Sequence, residues 1–94
     1  MAMTQAQAEY LAAQVLGWLA SQPDRIGAFM AAGGMDPAAL RAQIGEPGLM
    51  LAVLEFLLSD EAMLLECCAA LGIAPAQPGA ALAALPGGAQ VHWT

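Results

Sequence analysis

Ninety-four residues make one small domain, which at this size buries somewhat more than ~60% of the surface its unfolded chain exposes. Hydrophobic types supply 60% of the chain and charged types 11%, against the usual ~45–50% and ~25%, so there is more apolar side chain than one small core hides. Eight acids, two arginines (Arg25 and Arg41) and no lysine give a formal charge of -6, which repels phosphate backbones, argues against direct nucleic-acid binding and suits a basic partner.

The amino terminus, MAMTQAQAEY, has neither the basic start nor the apolar stretch of a secretory signal, and the expected compartment is the cytoplasm. Thr4 is placed to cap a helix running to about Ala20, in which Tyr10, Leu11, Val15, Trp18 and Leu19 recur at spacings of three and four and predict a buried stripe. Pro23 and Asp24 open a second helix, with Ile26, Phe29 and Met30 inward and Gly33 or Gly34 as a left-handed stop. Gly17 and Gly27 inside these helices cost about 1 kcal/mol each relative to alanine, and close helix crossing is the expected reason for them.

Asp36 and Pro37 cap and start a short third helix, Pro37 to about Ile44, closed at Gly45. Pro47 opens the next, Gly48 to Leu58, where LMLAVLEFLL is apolar on nearly every face and Glu55 alone interrupts it. A helix of that kind is central or lies at an interface. The longest uninterrupted apolar run, Leu49 to Leu54, is far short of the ~18–20 residues that a membrane span requires. Ser59 or Asp60 caps a fifth helix, Glu61 to Leu71, with acids in its first turn and Gly72 as its stop. GAALAALPGG predicts a weak short sixth helix. In the tail, AQVHWT, an apolar pair formed by Val91 and Trp93 is suited to docking on its own domain or on a neighbour. No segment alternates with a period of two, so the expected class is all-α, a bundle of five to six short helices.

A shift of 38 positions lays VLGWLASQPDRIGAFMAAGGMDP, residues 15–37, over VLEFLLSDEAMLLECCAALGIAP, residues 53–75. Val15, Leu16, Leu19, Ser21, Ala31, Ala32, Gly34 and Pro37 meet identical residues, and Trp18 meets Phe56. The serine, glycine and proline matches fall on structural punctuation, which predicts two repeated helix-turn-helix units, about residues 5–45 and 47–86, within a domain of residues 1–88 followed by a tail, 89–94. The two units are expected to pack face to face about a pseudo-twofold axis.

This register decides how Cys67 and Cys68 are read. They lie over Phe29 and Met30, residues suited to filling volume, and free cysteine behaves as a small buried hydrophobe. Adjacent α-carbons, ~3.8 Å apart, are too close for an ordinary disulfide, and neighbours on a helix point ~100° apart, unsuited to one metal ion. The expected role of both is packing, with no metal and no cofactor.

Other chemistry is equally sparse. A nucleophile and base need a histidine or its equivalent, and His92 stands third from the end. Asp60 and Glu61 sit where a helix start favours acids, and Glu66 is expected on the surface. Arg25 and Arg41 are expected to pair with local carboxylates such as Asp24 or Glu46 rather than grip an anion. No residue is assigned a catalytic role, and the chain is expected not to be an enzyme.

With GWLA, PDRIGAF, GGMDPAALRA and FLLSDEAML in view, the chain resembles the DUF3572 family, short α-proteobacterial proteins; the resemblance covers roughly Ala6 to Pro86. It implies no activity, cofactor or catalytic residue. The reading that the surplus apolar content favours is an interaction module, a homodimer or the companion of another protein, working through an apolar face that includes Leu49, Val53, Phe56, Leu57 and Trp93. The alternative is a small-molecule or lipid-binding module with a pocket between the two units, lined by Met30, Met50, Met63, Phe56 and the cysteines.

Overall fold

The computed structural model describes residues 3–87, and among them there are six helices and no strand. They are α1 (Gln5–Ala20), α2 (Pro23–Gly33), α3 (Pro37–Gln43), α4 (Pro47–Leu58), α5 (Glu61–Leu71) and α6 (Gln77–Ala84). The class is all-α, as the sequence predicts. Val91, His92 and Trp93 lie outside the described residues.

The boundaries follow from local chemistry. Thr4 Oγ1 accepts from the Gln7 amide at 3.1 Å while Gln7 Oε1 accepts from the Thr4 amide at 2.9 Å, a reciprocal capping box that satisfies two otherwise orphaned donors. Asp36 caps α3 through the Ala39 amide at 2.8 Å, and Asp60 caps α5 through the Met63 amide at 3.2 Å. Ser59 ends α4 instead of starting α5. Gly34 and Gly72 both adopt left-handed backbone, φ 64° and 70°, where a Cβ would crowd the following carbonyl.

Local geometry repeats at the predicted offset. Ser21 and Ser59 each end a helix and donate from Oγ to the carbonyl three residues back, Trp18 and Phe56, at 2.6 Å. The Met35 amide donates to Met30 and the Ile73 amide to Cys68, at 2.9 and 3.0 Å, closing two helix ends in the same way. The third helices of the two segments part company. α3 has no buried residue, whereas α6 lies against α1 and α4 and buries Pro78 and Ala81.

One core runs through the described residues. α1 and α4 pack on each other, α2 and α5 lie against both, and Leu11, Val15, Leu19, Phe29, Leu49, Val53, Leu54, Leu57, Met63 and Cys67 fill the space between, with no polar or charged residue buried. Each fully buried Leu or Val stabilises the fold by roughly 1.5–3 kcal/mol relative to an exposed position.

Three expectations need correction. Tyr10 is 68% exposed, because the buried stripe of α1 runs through Ala8, Leu11, Ala12, Val15 and Leu19, and position 10 stands about 100° off Leu11. Trp18 is half-buried at the core's edge rather than inside it. Gly17 and Gly27 serve no close crossing, since a Cβ at either would meet nothing within 4 Å. G17A and G27A are therefore expected to raise stability by about 0.5–1 kcal/mol each, read from urea unfolding midpoints at unchanged slope.

Candidate interaction surface

The cysteines sit in the packed interior. Cys67 is 0% and Cys68 2% exposed; burial, with a smaller contribution from Cys68, pushes the Cys67 thiol up to about 11, and burial raises Cys68 as well. A thiol held that far from its thiolate is a poor nucleophile and a poor metal ligand. The Cys68 Sγ–H donates weakly to the Ala74 carbonyl at 3.8 Å, while Cys67 has no such partner among the described residues. No cluster of three or more His, Cys, Asp or Glu residues suited to a metal ion forms among the described residues.

The acids divide between caps and one ion pair. Asp60 holds the start of α5, and Glu61 occupies its first turn. Arg25 pairs with Glu66 at 2.6 Å, forty-one positions along the chain, and not with the local Asp24 or Glu46 as expected. Its guanidinium also lies 5.1 Å from the Trp18 ring centroid, so one cation ties α2 to both α5 and α1. The hydrogen bond from Arg25 holds the Glu66 carboxyl below its ordinary range, and the same bond raises Arg25. Both side chains are substantially exposed, so the pair sets orientation more than it adds stability. Arg41 forms no ion pair among the described residues.

The expected apolar face of α4 is turned inward. Leu49, Val53 and Leu57 are 3%, 1% and 0% exposed because α1, α5 and α6 all lie against that helix. Phe56 alone of the described members remains at the surface edge. It shares an open groove of about 320 Å³ with Ala52 and Glu55 of α4, its cap Ser59, Phe29, Ala32 and Gly33 of α2, and Met35 just beyond α2. Phe29 and Phe56 meet edge to face, centroids 5.4 Å apart at 65°, a favourable aromatic geometry that fixes the groove floor. Glu55 is the one carboxylate in α4; it is exposed and makes no ion pair among the described residues.

A second, wider depression of about 510 Å³ lies beside Tyr10, between the start of α1 and the start of α6. It is rimmed by Gln7 and Gln77, whose side-chain oxygens already accept backbone amides of Thr4 and Ala74, and no charged side chain lines it. Of the residues expected to line an internal pocket, Met63 and the cysteines are buried, Met50 packs against the core, Met30 is half-buried outside that cluster, and Phe56 lines the open groove. None of the described helices is long and apolar enough to cross a membrane.

A family model described as "Protein of unknown function (DUF3572)" matches residues 5–88. No curated protein and no solved structure matches the chain.

Proposed function

We propose that this chain, which belongs to the DUF3572 family, is a non-enzymatic interaction module that receives part of another polypeptide in the groove between α2 and α4. The observation that carries this reading is the groove itself: aromatic and methyl-bearing walls around one carboxylate, Glu55, that has no ion pair among the described residues. Apolar walls supply desolvation, and a single charged group among them supplies register and choice of partner. The Tyr10 depression has no charge with which to select among partners. That the buried thiols, the capping aspartates and the Arg25–Glu66 pair each have a structural role supports the non-enzymatic reading.

Arginine at Ala52 fills the groove without entering the core, while arginine at the exposed Ala69 of α5 is the control. Purified wild type and A69R are expected to retain a polypeptide, a second copy or another protein reconstituted from native lysate, that folded A52R loses at least ~10-fold in affinity. Association that ignores A52R, or no association in any variant, would sink the proposal.

A further inference from the structure

Resting on that reading, we infer that the groove's occupant is α3 of a second copy, in a two-fold pairing that sets Arg41 against the partner's groove carboxylate and Ile44 against its aromatic floor.

The chain carries two cations. Arg25 is committed to Glu66 and Trp18, which leaves Arg41 without an ion pair among the described residues. Three residues on, Ile44 is 60% exposed, among the most exposed large apolar side chains of the described residues. Arg41 lies in the last turn of α3 and Ile44 is its C-cap, so the end of α3 carries one cation and one exposed aliphatic group close together. The groove presents the complement: Glu55 beside the Phe29–Phe56 pair. α3 has no fully buried residue, unlike α6; Leu40 packs against the core, and positions 41–44 at its end stay exposed.

The same feature also satisfies the symmetry requirement. A two-fold interface must be self-complementary, each copy giving what it receives. Met35, one of the groove residues, immediately precedes the Asp36 cap of α3. Groove and α3 are thus joined by the chain itself, and reciprocal seating lets each copy give what it receives. A chain of net charge -6 repels its own copies in most orientations. The orientation in which Arg41 meets a carboxylate is the one that repulsion penalises least.

Sedimentation velocity of the full chain over a concentration series, for wild type, R41E, E55R and R41E/E55R, tests the pairing. The wild type is expected to dimerise, each single reversal to weaken the dimer at least ~10-fold, and the double reversal to restore it to within ~3-fold. E55R brings the net charge nearer zero, so a non-specific charge effect would strengthen association where the pairing predicts weakening. I44D, whose position is likewise exposed, is expected to abolish the dimer with helicity intact. A wild type that stays monomeric overturns the inference, and A52R-sensitive binding of a different protein then leaves the groove reading standing. A dimer that the double reversal fails to rescue also overturns it, because copies then meet elsewhere.

Discussion

Alanine in place of Leu19, or of Leu57, is expected to lower the unfolding free energy by about 2–5 kcal/mol, the lost transfer energy of the side chain plus the cavity left behind. Both leucines are fully buried, one on each of the two helices that pack at the centre of the molecule. A domain of this length has of order 5–14 kcal/mol in total, so either change removes a large fraction of it. L65A, at a position half open to solvent, is expected to stay within about 0.5 kcal/mol. Urea titration by circular dichroism reads all three. Equal midpoints for L19A and L65A would mean that α1 does not pack as described.

Serine at Cys67 is expected to cost about 1–3 kcal/mol, and serine at Cys68 distinctly less. The two substitutions make the same change of one atom. What differs is the surroundings: a hydroxyl at position 67 enters an apolar interior with no acceptor among the described residues, whereas one at position 68 has the Ala74 carbonyl close by. Thermal and urea unfolding of C67S and C68S side by side measure the difference. A neutral C67S would show that the site is polar or hydrated, and the packing role of Cys67 would have to be given up.

These expectations rest on features of very different legibility. Helix ends were readable because they are local: Thr4, Asp36 and Asp60 satisfy amides three residues away, and Gly34 and Gly72 take the left-handed backbone that their position demands. The cysteines were readable through the register that set them over Phe29 and Met30. The direction of α4 was not. Its periodic signal vanishes when nearly every side chain is apolar, so the sequence does not tell a central helix from an interface, and Leu49, Val53 and Leu57 lie inward. Ala8 and Ala12, fully or almost fully buried in α1, were overlooked in favour of Tyr10, since a methyl group gives little hydrophobic signal even where close packing needs it. Arg25 was matched with its sequence neighbours, yet the turn between α4 and α5 brings Glu66 to it from the other segment. The groove follows from how α2 and α4 lie together, a relation no window of sequence contains.

The position of α6 has a consequence in time. The helix that covers α1 and α4, and buries Ala81 and Leu85 in the core, is the last of the described elements to be made. At ~5–20 residues per second, synthesis from Leu58 to Leu85 takes on the order of seconds. Until then the almost wholly apolar α4 lacks one of the helices that cover it. The core is thus completed only by the last described element, and a chain cut before Ala81 is expected to leave the faces of α1 and α4 that α6 covers open to solvent.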